Sequence, residues 1–169
     1  MTLPRRLSAA TIACAAVLTA IGLTASARTA EAQAAAPPPG CTGTPSATWI
    51  NVVAEGLRNG NGLLAVTLYA DKPEKFLARH GSLYVGRVNA TGGTTRACIF
   101  VPRPGIYALA LYHDENANQS FDRTGIGLPA EGYGFSNNPA TIAGLPSFRS
   151  VRLAIPRSGL TTRVQMKYP

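Results

Sequence analysis

The feature that most restricts how this chain can fold is the two-residue alternation of its last segment. Between Leu160 and Tyr168, the residues Thr162, Val164, Met166 and Tyr168 fall on one side of an extended backbone. Thr161, Arg163, Gln165 and Lys167 fall on the other. A helix would spread both sets around its axis, whereas a strand sorts them. The same period recurs upstream, where Ile50, Val52 and Ala54 alternate with Asn51, Val53 and Glu55, and Leu64, Val66 and Leu68 with Ala65, Thr67 and Tyr69. Residues 83–89, 94–101, 106–113 and 147–155 continue it, with Gly, Pro and Asn between the segments. Seven such strands predict an all-β domain, an antiparallel β-sandwich in which each sheet buries one face. One short helix is predicted among them. Asp71 is placed to cap it, Pro73 lies in its first turn, Glu74 completes a capping-box-like pair with Asp71, and Gly81 ends it. Phe76 and His80 would then lie one turn apart, with His80 at the helix end on the surface.

Residues 1–34 lie outside this pattern. Arg5 and Arg6 precede an apolar stretch from Leu7 to Ala27, and small residues follow at the spacing a signal peptidase reads: Ala25-Ser26-Ala27, then Ala30-Glu31-Ala32 and Ala32-Gln33-Ala34. A cleaved signal peptide is predicted, cut after a residue between 27 and 34. The expected address is therefore periplasmic or secreted, with nothing left spanning the membrane. Residues 35–46, with Pro37-Pro38-Pro39-Gly40 at their centre, read as an Ala/Pro-rich linker, because proline fixes φ and lacks a donor. The folded domain is placed at 47–169.

Processing removes Arg5, Arg6, Arg28 and Glu31 from 16 basic and 8 acidic residues, leaving 13 and 7, a net charge of +6. The remaining charges are scattered, with Arg87, Arg96, Arg103, Arg149, Arg152, Arg157 and Arg163 among those falling singly along the predicted strands. No basic block or aromatic ladder marks a nucleic-acid surface, so nucleic acid is not expected as a partner. A solvated sheet face explains the charge, with attraction to an anionic envelope surface as the other reading. Of three cysteines, Cys14 lies in the apolar leader, and Cys41 and Cys98 remain. In an oxidising compartment these two are expected to form a disulfide.

The stretch after the fifth predicted strand is the one with chemical content. It runs Asp114-Glu115-Asn116-Ala117-Asn118-Gln119-Ser120-Phe121-Asp122 and continues as a long connection to Asn138. Asp114, Asn116, Asn118 and Asp122 occupy positions 1, 3, 5 and 9 of a calcium loop, with the Ser120 carbonyl at position 7. Position 6, where glycine is expected, is Gln119, and position 12, where a carboxylate is expected, is Gly125. The same side chains also suit a series of Asx turns, in which they accept backbone N–H groups and hold no ion. Both readings stand at this point. The neighbouring Tyr133 and Phe135, alternating with Gly132 and Gly134, read either as a stacking platform for a ligand or as rings that plug one end of the sandwich.

The run Tyr107-Ala108-Leu109-Ala110-Leu111-Tyr112-His113-Asp114-Glu115-Asn116 is followed by Asn118, Asp122, Gly127, Pro129 and then Glu131-Gly132-Tyr133-Gly134-Phe135-Ser136-Asn137-Asn138. This closely resembles the signature of the bacterial domain-of-unknown-function family numbered 2141, over about residues 48–168. The resemblance implies an exported β-sandwich of transthyretin-like or immunoglobulin-like type, with no established activity. Gln119 stands where that family usually has glycine, a departure that bears on how tightly the acidic loop can turn.

A hydrolase is the alternative function. His113, Asp114, Glu131 and Ser136 are the residue types one would use, with His113 as general base at a strand end. No nucleophile elbow, metal-binding helix or phosphate loop accompanies them. The leading expectation is a non-enzymatic binding or structural module of the cell envelope, with His113 as a buried linchpin donating to a loop carbonyl or to Asp114. Its 114–138 connection is expected to act as a calcium-stabilised platform or as a clasp.

Overall fold

The computed structural model describes residues 36–169, so the predicted signal peptide lies outside the described residues. Among the described residues eight strands form: β1 Thr48–Leu57, β2 Leu63–Ala70, β3 Tyr84–Asn89, β4 Gly93–Val101, β5 Gly105–Asp114, β6 Gly132–Phe135, β7 Arg152–Ile155 and β8 Leu160–Gln165. They make two sheets. One has the order β4-β1-β8, and the other β3-β2-β5-β6, with β7 paired to the first half of β5. Neighbours in the second sheet are antiparallel, and in the first β1 runs parallel to β8, which qualifies the all-antiparallel expectation. No helix among the described residues is long and apolar enough to cross a membrane.

The alternation places the core. Ile50, Val52 and Ala54 of β1, Leu64, Val66 and Leu68 of β2, Leu109 and Leu111 of β5 and Val164 of β8 are buried together between the sheets. β5 is covered on both faces, and its sequence shows how: large Tyr107, Leu109 and Leu111 fill the space between the sheets, while small Ala108 and Ala110 face outward. On that outer side Tyr69, Phe135 and Val151 pack over the alanines, with Phe76, Tyr133 and Phe148 against them, as a second apolar cluster.

Three predictions about the elements need correction. The helix expected over 71–81 is only a 3-10 turn, Pro73–Lys75. Asp71 does not cap it, because its carboxylate holds Arg152, with Nε at 2.7 Å from Oδ1 and Nη2 at 2.6 Å from Oδ2. Leu77 and His80 then take positive φ, of 56° and 55°, which ends any helical run, and His80 is exposed. Phe76 gains from the extended path, since its ring reaches Tyr69 and Phe148 at 5.2 and 5.6 Å. Residues 147–155 divide into a one-turn helix α1, Phe148–Val151, and the four-residue β7. Finally, Gly132–Phe135 is a strand, not part of a continuous loop.

β6 escaped the sequence reading because its inward positions are glycines. A Cβ at Gly132 would collide with the Tyr168 ring, and one at Gly134 with Val164 and the Gln165 carbonyl. The glycines let the chain around β8 pack against β6, and Tyr133 exchanges two 2.8 Å backbone hydrogen bonds with Lys167. Cys41 and Cys98 form the expected disulfide, closing 57 residues of sequence separation. Beside it Thr42 donates to the Cys98 carbonyl and accepts from Phe100, both at 2.9 Å, so part of the stretch read as a linker lies along the edge of β4.

Candidate functional site

His113 and Asp114 end β5 as neighbours, yet their side chains leave opposite faces of the strand, so sequence adjacency does not make them partners. Both are fully buried. His113 Nε2 donates to the Asn61 carbonyl at 2.8 Å, and Nδ1 pairs with the Tyr168 hydroxyl at 2.7 Å. That hydroxyl also accepts the Arg58 N–H at 3.2 Å. Arg58 stacks over the Tyr168 ring at 4.8 Å and forms an ion pair with Glu115 at 2.7 Å. Burial alone would raise the Glu115 pKa, but hydrogen bonds from Asn59 and Arg58, together with the Arg58 charge, outweigh it and hold the carboxyl below its ordinary value. Burial pushes the Tyr168 phenol up. His113 is thus a linchpin joining the β1–β2 turn to the C-terminal segment, and the loop carbonyl it holds belongs to Asn61.

On the other side, Asp114 organises the polar loop. Its Oδ1 accepts the Asn118 N–H at 2.9 Å and its Oδ2 the Gln119 N–H at 2.8 Å. Asn116 Oδ1 accepts from Asn118 N–H and Asn118 Oδ1 from Ser120 N–H, at 3.0 and 2.8 Å. These are stacked Asx turns. The amide groups of Asn116 and Asn118 both donate to Asp122, at 2.9 and 3.1 Å. An ion wrapped by this loop would need those two side chains to present oxygen inward instead. Gln119 turns the chain at a positive φ of 63°, and Ala117 has φ 56°.

Glu131, at the far end of the loop, closes it. Its two oxygens accept the Glu115 and Asp122 N–H groups at 3.3 and 3.1 Å. Burial raises its pKa, and the Asp122 and Asp114 charges push the same way, against the pull of those two N–H donors. The structure therefore brings Asp114, Asn116, Asn118, Ser120, Asp122 and Glu131 into one hydrogen-bonded loop and directs His113 away from it. Ser136, fully buried, accepts from Leu109 N–H at 3.0 Å and donates to the Val151 carbonyl. None of the four groups proposed for hydrolysis bonds to another of them, and each is held by backbone or by Tyr168.

The outer face of the larger sheet joins Tyr133 and Phe135, the pair read as a platform or as plugging rings, to residues the sequence did not connect with them. Strand register sets Thr67, Ala110 and Phe135 in one row and Ala65, Tyr112 and Tyr133 in the next. Ala110 thus leaves a gap among large neighbours, a cavity of about 250 Å³ walled by Tyr69, Tyr112, Phe121, Tyr133 and Phe135, with Arg123 at its edge and exposed Leu77 and Leu145 as lips. Phe121 comes from the polar loop and meets the Tyr112 ring at 5.6 Å. The loop is pinned there as well, because the Gln119 carbonyl accepts from Arg87 at 3.1 Å and from Tyr112 at 3.2 Å. Burial raises the pKa of Tyr69, with Tyr112 adding to it. Tyr133 and Phe135 are the part of this cavity named from the sequence as a platform, and Thr67, Tyr69, Tyr112, Phe121 and Arg123 were not connected to them.

Among curated proteins and solved structures nothing matches this chain. The family described as "Uncharacterized protein conserved in bacteria (DUF2141)" matches residues 52–163, a span holding most of both sheets, the polar loop and the aromatic cavity, and the chain belongs to that family.

Proposed function

We propose that this protein is an exported, non-enzymatic module of the cell envelope that binds a small ligand on the outer face of its larger sheet. The observation that carries the reading is the convergence of Tyr133 and Phe135 with Tyr69, Tyr112 and Phe121 around the gap over Ala110. The leader sequence and the Cys41–Cys98 pair support an extracytoplasmic address. The polar loop acts as a clasp in this reading: the Asp114 and Glu131 carboxylates hold backbone N–H groups, Asp122 holds the Asn116 and Asn118 amides, and Phe121 forms one wall of the cavity. At about 250 Å³ the cavity falls just below the ~300 to 1,000 Å³ typical of drug-sized sites, so the ligand is compact.

The test is an amide NMR titration of the mature domain with phenol, a neutral planar probe. Shifts concentrated at Ala110, Tyr133, Gly144 and Leu145, and lost in Phe135→Ala, support the site. Shifts spread evenly over the surface, or none, overturn it. Recovery of the uncleaved chain in the cytoplasmic fraction of the native cell would overturn the exported half of the reading.

A further inference from the structure

We infer that the ligand of this cavity is a small aromatic carboxylate, its ring over Ala110 and its carboxylate at Arg123. The inference rests on the binding-module reading and adds the ligand's chemistry.

Three observations on the cavity wall carry it. First, its only charged residue is Arg123, and no Asp or Glu lines the space. Arg123 forms no ion pair among the described residues: it gives one hydrogen bond, to the Gly127 carbonyl at 2.8 Å, and lies 5.0 Å over the Phe121 ring. A guanidinium has five N–H donors in a planar fork, so most of its capacity is unused, and the group that fits such a fork is a carboxylate. Second, Thr67 and Tyr69 are only 7% and 8% exposed, yet their hydroxyls make no hydrogen bond within the described protein. Both residues line the cavity. Neither oxygen is sealed from solvent, so both hydroxyls open to the cavity and are free to donate to acceptor atoms on whatever enters it. Third, the remaining wall is ring surface from Tyr133 and Phe135, whose centroids are 6.0 Å apart and tilted by 58°. Tilted rings of this kind accommodate another planar ring edge-on or offset.

Size narrows the class. At about 250 Å³ the space lies under the ~300 to 1,000 Å³ of drug-sized sites. That suits a single ring bearing one carboxylate better than a disaccharide or a lipid chain.

The experiment is calorimetric titration of the mature domain with sodium benzoate, with benzyl alcohol as its neutral counterpart and sodium acetate as the carboxylate without a ring. Benzoate is expected to bind more tightly than either. Arg123→Gln is expected to weaken benzoate about tenfold or more, the scale of one lost hydrogen bond to a charged group, and to leave benzyl alcohol unchanged. Arg123→Lys should recover part of the loss. Thr67→Val, which keeps shape and removes the hydroxyl, should weaken benzoate by a smaller factor. Equal binding of benzoate and benzyl alcohol, insensitive to Arg123→Gln, would overturn the carboxylate inference while leaving the binding site in place. Binding of acetate as tight as that of benzoate would overturn the role of the ring. If none of these compounds binds and phenol produces no localised shifts, the binding-module reading fails with the inference. Arg123 is exposed and outside both apolar clusters, so the variants are expected to fold, and a thermal melt of each checks it.

Discussion

The side-chain carbonyl of Asn138 accepts the Gln165 N–H at 2.8 Å, while its amide group donates to the Arg163 carbonyl at 3.2 Å. One side chain thereby supplies the edge of β8 with the donor and acceptor that a neighbouring strand would present. Its two predecessors do comparable work. Asn137 donates to the Ser150 and Arg152 carbonyls, and Ser136 bonds to Leu109 and Val151. Three consecutive residues thus fasten β6 to β5, to α1 with β7, and to β8.

Asn138→Ala should lower stability by about 1 to 2 kcal/mol, from two exposed hydrogen bonds and a positive φ of 51° that alanine adopts less readily. Asn138→Gly relieves the backbone and loses the same bonds, so it should fall between alanine and wild type. Urea unfolding of the three proteins orders them. An alanine variant as stable as wild type would show that the amide contributes nothing.

His113→Ala removes a fully buried ring and leaves the Asn61 carbonyl and the Tyr168 hydroxyl short of partners. A loss of roughly 2 to 4 kcal/mol is expected, and about 1 to 2 for Tyr168→Phe. The double variant should cost less than the sum, because the same bond is removed twice. Strict additivity would mean that the 2.7 Å contact carries no energy.

Glu131 gives the pH dependence a sign opposite to that of Asp71 and Glu115. Its carboxyl is raised above the ordinary 4.5, first by burial, so the folded state holds that proton more firmly than the unfolded chain does. Its contribution to stability falls as pH rises from 4.5 through the raised value and is fully unfavourable above it. Asp71, lowered by its hydrogen bond to Arg152, and Glu115, lowered against its own burial by Asn59 and Arg58, stabilise above their ordinary 3.8 and 4.5 and lose that contribution as pH falls through their folded values. Glu131→Gln cannot titrate, and its amide would face one of the two N–H donors, so it should be less stable than wild type. The gap should narrow as pH rises above 4.5. Denaturant curves taken from pH 4 to pH 8 measure it, and a gap that widens with pH would contradict the raised value.

Oxidised protein expressed without residues 1–34 should show no free thiol before reduction and two afterwards, since Cys41 and Cys98 are then its cysteines. Closing a separation of 57 residues corresponds to roughly 4 kcal/mol on the chain-entropy estimate. Reduction, or Cys41→Ser with Cys98→Ser, should lower the denaturant midpoint by an amount up to that size.

The clasp reading of the polar loop makes its own prediction. With Asp114 holding the Asn118 and Gln119 N–H groups, Asp114→Ala should destabilise the domain by about 2 to 3 kcal/mol. Calcium at about 10 mM should leave the melting temperature of both proteins unmoved. A rise of several degrees in wild type, absent in Asp114→Ala, would instead assign the loop to a weak extracellular-type ion site.

How much of this could be read from residues alone follows from what each inference needed. Strand positions needed only local alternation, so β1 to β5 and β8 fell close to their predicted places. β6 was hidden because Gly132 and Gly134 carry no hydrophobic signal, although they occupy its inward face. The helix over 71–81 was a sound local reading overturned by Arg152, a partner 81 residues away. The polar loop was legible as a list of side chains, and its Asx turns were one of two stated outcomes. Of the cavity only Tyr133 and Phe135 were legible, because the row Thr67–Ala110–Phe135 exists only once strand order and register are known.

The parallel pairing of β1 with β8 sets an order of events for the growing chain. β1 is the middle strand of its sheet, and one of its two neighbours is β8, the last of the described strands in sequence order. Emerging amino-terminus first, residues 50–55 wait for residues 160–165 before that side of the strand is hydrogen-bonded. Until then the chain offers a long apolar strand with an open edge, the form most prone to pair with a second copy. A chain stopped before Leu160 keeps that edge permanently, so the length of time between first and last strand is the interval in which this domain most needs a companion to shield it.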